Sequence, residues 1–134
     1  MSAFETREEM EGVLHRMADL LESDAALIQA SRGKKLAISY EFPDLGVSFY
    51  TNFLDGRIEA GLGELEGAAL QLTMDSDVFD GMFTGKVNPA RAVMKGSLAF
   101  SGNVASAMRL QGLLGDFQRL YLQAKAAVGS QDRE

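Results

Sequence analysis

The feature that most constrains the fold is a change in the spacing of apolar residues at Lys35. Before this residue the apolar side chains recur every three or four positions, and after it they alternate with polar ones. Such alternation is typical of a strand that buries one face of a sheet. Four alternating runs follow one another with turns between them, at 36–42, 47–53, 58–62 and 68–74. The pattern predicts an antiparallel meander with one apolar and one polar face.

Both ends of the chain carry helical spacing instead. Residues 6–22 predict an amphipathic helix, residues 25–30 a short second helix, and residues 104–127 a long final helix. Gly112 and Gly115 interrupt the final helix at a cost of about 1 kcal/mol each, which indicates a close approach or a bend. The helices can cover the apolar face of the sheet. We expect a frayed tail at 129–134, because these residues are polar and terminal.

Two short helices and a fifth strand are predicted between the fourth strand and the final helix. Start and stop signals bound the two helices, with Asp75 or Ser76 and then Gly85 for the first, and Asn88, Pro89 and then Gly96 for the second. Alternation at 96–101 predicts the fifth strand. The segment therefore passes from strand to helix to strand almost without linkers.

Several short motifs between the end of the fourth strand and the first part of the final helix resemble those of the sterol carrier protein-2 family of small lipid-binding domains. They are MDSDVF at 74–79, TGKVNP at 84–89, MKG at 94–96, SGN at 101–103 and AMRLQ at 107–111. The match covers about a third of the chain closely, and the order of elements elsewhere agrees with it. The resemblance implies an α+β fold, with a five-stranded, largely antiparallel sheet covered on one face by helices and an apolar tunnel between the layers.

The resemblance also implies the ligand class: a sterol, a fatty acid, a fatty acyl-CoA or a phospholipid, bound without catalysis or cofactor. We expect the tunnel to be lined from the sheet by Phe49 and Ile58, and from the cover by Met82, Phe83, Val93, Met94, Met108, Leu110, Leu113 and Phe117. By the same resemblance, Gln111 offers a polar contact to a head group. Methionine side chains adapt to ligands of variable shape, although apolar residues at helical spacing can equally fill an ordinary core.

Composition limits the number of domains, the classes of partner and the location that we expect for the chain. A chain of 134 residues with 46% hydrophobic residues is the usual size of one domain with its own core. The formal charge of -6 argues against nucleic acid as a partner and allows at most transient membrane contact. The chain has no cysteine, no apolar signal sequence at its start and no membrane-spanning run, so we expect a soluble cytoplasmic protein.

The motifs that would indicate an enzyme or a metal site are weak. Gly61, Gly63 and Gly67 lie between two strands, whereas a dinucleotide-binding loop leads from a strand into a helix. Asp75, Asp77 and Asp80 lack the further oxygen ligands of a calcium loop and suit a helix start instead. His15 is the sole histidine and lies off the apolar helix face. We therefore expect no metal and no catalytic residues.

Two alternatives to a free carrier stay open at this point. In the first, the chain is an accessory subunit that presents an apolar substrate to a lipid- or quinone-modifying enzyme, as some members of the sterol carrier protein-2 family do. In the second, it is a small enzyme that uses carboxylates such as Glu64 and Glu66, although their place in a polar turn favours a solvated role.

Overall fold

The computed structural model describes residues 3–132, with side chains as far as Val128. Its elements are α1 (Arg7–Ser23), α2 (Ala25–Ala30), β1 (Lys35–Phe42), β2 (Val47–Leu54), β3 (Ile58–Leu62), β4 (Leu70–Met74), α3 (Ser76–Phe83), α4 (Pro89–Lys95), β5 (Leu98–Gly102) and α5 (Val104–Asp132). The predicted fold class is confirmed, because five strands form a single sheet with the helices packed against it. Helix α5 continues to Asp132, through most of the segment expected to fray; residues 133–134 lie outside the described part.

The sheet order is β3-β2-β1-β4-β5, with β1 at the centre. β1 pairs antiparallel with β2 but parallel with β4, so that Ile38 lies opposite Leu70. The predicted meander is therefore wrong after β3, because the chain returns across the sheet to the far side of β1. Alternation specifies which face of a strand is buried, whereas a parallel and an antiparallel neighbour satisfy it equally.

One face of the sheet carries the core. Along β2, the side chains of Val47, Phe49, Thr51 and Phe53 are buried, while those between them are half-buried. The Thr51 hydroxyl lies 3.1 Å from the hydroxyl of Tyr40, so each buried group has a hydrogen-bond partner. The alternation read from the sequence thus becomes one face against the helices and one toward solvent.

Helix α1 covers the β1–β3 side of this face. Thr6 caps the helix by accepting a hydrogen bond of 3.1 Å from the Glu9 amide. Most apolar side chains of α1 are buried, among them Met10, Leu14 and Met17, and Leu20 is half-buried. The predicted amphipathic cover helix is therefore confirmed. His15 is exposed, as its position off the apolar face indicated.

Helix α5 packs across α1 and is tied to α2 by an ion pair. Both terminal nitrogens of the Arg119 guanidinium donate to the Asp24 carboxylate, at 3.0 and 2.8 Å. Asp24 also accepts from the Leu27 amide and so caps α2. The hydrogen bond from Arg119 is the main reason that the pKa of Asp24 is lowered, with desolvation opposing it.

The two glycines of α5 do not mark a close contact. No atom lies within 4 Å of the position that a Cβ would take at Gly112 or at Gly115, and both residues are exposed. The helix continues through both positions. The close approach, one of the two predicted reasons for these glycines, is therefore wrong.

Candidate functional site: an apolar cavity between the sheet edge and the helices

The short helices α3 and α4 are set in place by local signals. Asn88 caps α4 by accepting from the Arg91 amide at 3.2 Å, and Gly96 ends it in the left-handed conformation with φ of 80°. These two predicted signals are confirmed. At the start of α3 the Asp75 side chain makes no capping bond. The amide and hydroxyl of Ser76 instead donate to the Asp44 carboxylate, at 3.0 and 2.6 Å.

An apolar cavity of about 330 Å³ lies between these helices and the β4–β5 edge of the sheet. Its lining comes from five elements: Leu70 and Leu72 of β4, Met82 and Phe83 of α3, Pro89, Ala90 and Val93 of α4, Leu98 and Phe100 of β5, and Ala107, Leu110, Gln111 and Leu114 of α5. The volume lies within the range of about 300 to 1,000 Å³ that is usual for small-molecule sites.

The cavity opens toward solvent beside α4 and β5. Val93 and Phe100 belong to its lining, yet 37% and 44% of their surfaces are exposed. Gln111 is the single polar side chain among the lining residues and is itself exposed. A molecule bound here meets apolar surface inside and one amide near the opening, which suits a ligand with an apolar body and a polar end.

The inner wall of the cavity, formed by Met82 and Phe83 of α3, is held in place by contacts with α5 and the core. The Gln118 amide nitrogen donates to the main-chain oxygen of Met82 at 2.9 Å, which ties the end of α3 to α5. The ring of Phe83 packs against Phe79, with 4.3 Å between ring centroids, and against Phe117 at 5.9 Å. The inner wall is thus continuous with the aromatic core.

A polar cluster beneath this wall fixes α3 on α5. The Asp80 carboxylate accepts hydrogen bonds from the Tyr121 hydroxyl at 2.6 Å and from the Lys125 ammonium at 2.7 Å. Burial is the largest cause of the raised pKa of Tyr121, and its hydrogen bond to Asp80 adds to the effect. Each group of the cluster is partnered, so its geometry supports a structural role.

The structure brings five of the eleven predicted lipid contacts together at the cavity, namely Met82, Phe83, Val93, Leu110 and Gln111. The other six do not line it. Met94 and Met108 are exposed over 86% and 67% of their surfaces, while Phe49, Ile58, Leu113 and Phe117 are buried in the core. Helical spacing identifies the helices that cover the sheet, but it does not identify the flank that borders an unfilled space.

Sequence reasoning missed eight of the lining residues: Leu70, Leu72, Pro89, Ala90, Leu98, Phe100, Ala107 and Leu114. Alternation did mark the residues of β4 and β5 as sheet-face positions. The sheet order was the missing information, because the predicted meander gave no reason to prefer β4 and β5 over β2 and β3. A small residue such as Ala90 carried no signal.

The carboxylates considered as a calcium site are separated by their partners. Asp77 accepts from the Ala3 amide at 2.7 Å, whereas Asp80 binds Tyr121 and Lys125. Within residues 3–132, no group of three acidic or histidine side chains is placed to hold a metal ion. In the same part of the chain, no helix combines the length and apolarity needed to cross a bilayer.

A profile of the SCP-2 sterol transfer family matches residues 14–115, which include every element from β1 to β5 and every residue of the cavity lining. The chain belongs to the SCP-2 sterol transfer family. The resemblance inferred from the short motifs is therefore confirmed, and with it a lipid-binding domain.

Among curated proteins, the chain is similar to hydroxysteroid dehydrogenase-like protein 2 of Xenopus tropicalis, with 38% identity over 80 residues. The match covers 57% of this chain but 19% of that protein. The Bos taurus protein of the same name is 37% identical over 79 residues. The matched region thus spans about a fifth of the length of these relatives.

Solved structures show the same fold at low sequence identity. Sterol carrier protein 2 of Yarrowia lipolytica, in its apo form, has a TM-score of 0.57 and 24% identity, covering 81% of this chain and 89% of that one. Palmitated SCP2L2 from Aedes aegypti has a TM-score of 0.58 and 11% identity, covering 85% and 95%. The ubiquinone synthesis protein UbiJ-SCP2 has a TM-score of 0.52 and 18% identity, covering 88% and 94%.

Proposed function

We propose that this SCP-2 chain carries a single apolar lipid in the cavity between α3, α4, α5 and the β4–β5 edge, without altering it chemically. The observation that carries the proposal is the lining, in which twelve of thirteen residues are apolar. Gln111 stands near the opening, where it can donate to or accept from the polar end of a lipid. The lipid body then takes the apolar interior.

The energetics suit a carrier. Removing a chain of about 16 carbons from water gains at most about 13 kcal/mol, at roughly 0.8 kcal/mol per methylene. A bilayer offers the same chain nearly the same gain, so the net preference between protein and bilayer is small. A site of this kind takes up and releases lipid rather than holding it permanently.

The first test is to identify what the protein binds. Native mass spectrometry of the purified chain should show an added mass that organic extraction releases as a lipid. A fluorescent fatty acid should then bind the delipidated protein. Absence of both the added mass and fatty-acid binding would contradict the proposal.

A matched pair of variants places the binding in this cavity. Val93→Asp puts a charge on the lining at a partly exposed residue. We expect at least a tenfold loss of affinity for the fatty acid, because the bound lipid would have to desolvate a carboxylate. Leu122→Asp places the same charge at another exposed aliphatic residue, which is 50% exposed on α5 and outside the lining, and should leave affinity unchanged. Equal losses in both variants would argue against this site.

The alternative is an accessory subunit that presents its lipid to a separate enzyme. It is favoured by the likeness to UbiJ-SCP2, a ubiquinone synthesis protein, and by relatives in which the matched region is about a fifth of a longer protein. Lipid exchange between vesicles by the isolated chain supports the carrier. Stable co-purification of an enzyme, with no such exchange, supports the accessory role.

Two finer expectations belong to the same proposal. We infer that the chain acts without catalysis, which incubation with lipid esters and analysis of the products can test. We also keep the cytoplasm as the expected location, which fractionation of the producing cells can test.

A further inference from the structure

The two edges of the sheet differ in how their main-chain groups are occupied. An edge strand presents a row of N–H and C=O groups that no neighbouring strand pairs. The sheet ends in β3 on one side and in β5 on the other. Helix α1 packs against β3, and the Glu22 carboxylate accepts a hydrogen bond of 3.0 Å from the Ala60 amide. The β3 edge is therefore covered by the chain itself.

The outer side of β5 makes no main-chain hydrogen bond to another main-chain group within residues 3–132. Its inner side pairs antiparallel with β4, from Leu98 opposite Met74 to Gly102 opposite Leu70. In such a ladder every second residue points its N–H and C=O away from the partner strand. The last four residues of β5 are exposed. The outward main-chain groups of this strand are therefore accessible.

The sequence of β5 lacks the residues that usually protect an edge. Charged side chains and proline on an edge strand hinder the addition of a further strand. β3 carries Glu59, which is exposed and lies 3.5 Å from the Arg57 guanidinium. β5, with the sequence LAFSG, has neither a charge nor a proline. Of the two edges, β5 is thus the one that can accept a strand.

Positive charge lies beside the β5 edge. Residues 81–115 contain four basic residues and no acidic one, whereas the rest of the chain contains nine basic and nineteen acidic residues. Lys86, Arg91 and Lys95 are exposed and take part in no ion pair in the described part of the chain. Arg91 and Lys95 belong to α4, which packs against β5. A strand added to β5 would therefore lie beside two basic groups without acidic partners.

One carboxylate, that of Asp75, lies near the start of β5. It borders a second cavity together with Thr73, Ser97 and Ala99. Thr73 and Ala99 form an exposed cross-strand pair, so this carboxylate lies toward the open face of the sheet. Helix α4 instead borders the apolar cavity on the helix-covered face. The positive charge is thus concentrated on the helix-covered side of the β5 edge.

We propose that the β5 edge binds an extended acidic segment of another protein as a sixth strand of the sheet. The β5 edge consists of the outward main-chain groups of residues 98–102 and the side chains of Arg91 and Lys95. This binding does not depend on lipid carriage, because its contacts are main-chain groups and surface charges. Phe100 belongs both to β5 and to the cavity lining, so the added strand would place the partner beside the cavity opening.

The chemistry of the edge defines the segment. Strand addition takes its affinity from main-chain hydrogen bonds and its specificity from alternate side chains. Every second side chain of an added strand points to the helix-covered face, where α4 lies. Acidic residues at these alternate positions can pair with Arg91 and Lys95. An acidic segment therefore fits this edge better than a basic or a neutral one.

A second copy of the chain fits this edge less well. Two β5 strands paired about a twofold axis would bring the α4 helices of both copies to the same junction. Arg91 and Lys95 of one copy would then face the same residues of the other, and like charges across a junction are unfavourable. The charge of the β5 edge therefore favours a partner of opposite sign.

A synthetic peptide tests the proposal. The probe has seven residues in which glutamate alternates with valine, with both ends blocked, and it is titrated into the full chain. Amide NMR should show binding, with new protection from hydrogen exchange centred on residues 98–102. The absence of binding, or protection centred on another part of the chain, would overturn the proposal.

Two altered peptides separate the main-chain from the charge contribution. A peptide methylated at every main-chain nitrogen cannot donate to the strand and should bind at least tenfold more weakly. A peptide with lysine in place of glutamate should also bind at least tenfold more weakly, because its charges would meet Arg91 and Lys95. Equal binding by either altered peptide would overturn the proposal.

Matched variants assign the charge effect to α4. Arg91→Gln/Lys95→Gln should weaken binding of the glutamate peptide about fivefold, because each exposed ion pair contributes up to about 1 kcal/mol. Arg16 and Lys34 are exposed and distant in sequence from β5, so Arg16→Gln/Lys34→Gln should leave the affinity unchanged. Equal losses in both double variants would show a general charge effect and overturn the assignment.

Two further measurements distinguish this proposal from the alternatives. Sedimentation velocity should give a monomer with and without the peptide, and a dimer that the peptide dissociates would assign the edge to a second copy and overturn the proposal. Fatty-acid binding tests the carrier function separately and should persist in Arg91→Gln/Lys95→Gln. Loss of fatty-acid binding in this variant would place its residues in the lipid site and overturn their role at the edge.

Discussion

The β1–β3 strands and the β4–β5 strands carry the same alternating sequence pattern, but the space between strands and helices is filled differently over the two groups. On the β1–β3 side, large side chains close the space: Phe53 stacks on Phe117 with 5.9 Å between ring centroids, and Tyr40 packs on Phe49 at 5.5 Å. On the β4–β5 side, β5 buries only Leu98, and Phe100 is half exposed beside the cavity. We call these the packed side and the open side.

The difference comes from the covering helices rather than from the strands. Over the packed side, α1 and α5 contribute long apolar chains that reach the sheet. Over the open side, the side chains that α4 and the first half of α5 present to the cavity include three small ones, those of Pro89, Ala90 and Ala107. Protein interiors are close-packed wherever side chains can reach, so short residues on one cover helix are enough to leave a cavity. A binding site can thus arise where the covering side chains are too small to fill the space.

The comparison predicts unequal costs for removing a phenylalanine. Phe117→Ala, at a position with no exposed surface, should lower the free energy of unfolding by about 3 to 5 kcal/mol, because it leaves a void in the packed side. Phe100→Ala on the open side should cost less than about 1 kcal/mol, since half of the ring is already in water. Chemical denaturation measures both, and similar losses would erase the distinction between the sides.

Adding volume should give the opposite ranking. Ala124 is fully buried in the core and outside the cavity lining, and Ala124→Phe should destabilise the protein by about 1 to 3 kcal/mol through overpacking. Ala107 borders the cavity, so Ala107→Phe should keep stability within about 1 kcal/mol while weakening fatty-acid binding at least tenfold. Thermal unfolding and ligand titration test the pair. A stable Ala107→Phe variant that binds the fatty acid normally would show that the fatty acid does not bind in this cavity.

The ion pair between Asp24 and Arg119 lies outside the cavity lining and should respond to pH. Because Arg119 lowers the pKa of Asp24, the pair contributes stability above the ordinary aspartate pKa of about 3.9 and loses it as the pH falls through the lower, folded value. Arg119 is 41% exposed, so solvent screening limits the effect of Asp24→Asn at neutral pH to about 1 kcal/mol. Denaturation at neutral and at strongly acidic pH should show the difference at neutral pH alone.

The smallest expected effect concerns Gly112 on the open side. No atom approaches its Cβ position, so Gly112→Ala should raise the free energy of unfolding by about 0.5 to 1 kcal/mol through the better helix propensity of alanine. Gly12 is also exposed within a helix with open space around it, so Gly12→Ala in α1 is the control. If Gly112→Ala slows lipid uptake and Gly12→Ala does not, flexibility of α5 contributes to lipid entry. If both variants take up lipid at the same rate, helix propensity explains the whole effect of Gly112→Ala.

Local features of this fold could be predicted from the sequence because local rules determine them. The alternation of β1 and β2, the Asn88 cap and the turn at Gly96 depend on neighbouring residues, and all were predicted. The place of β4 could not be, since its partner β1 lies far away in the chain and either strand direction suits its pattern. The cavity was located only in part, because it depends on which side chains fail to meet across the layers. Phe117 and Phe83 look alike in sequence, yet only Phe83 borders the space.

The parallel pairing of β1 with β4 has a consequence for the order of folding. β1 and β2 form a hairpin whose contacts are close in sequence, whereas the pairing of Ile38 with Leu70 closes a long loop and carries a larger entropic cost. We therefore expect the β1–β2 hairpin to gain protection from hydrogen exchange before β4 and β5 during refolding. The part of the molecule that is proposed to receive the ligand is then the last to assemble, and pulse labelling of its amides can follow it.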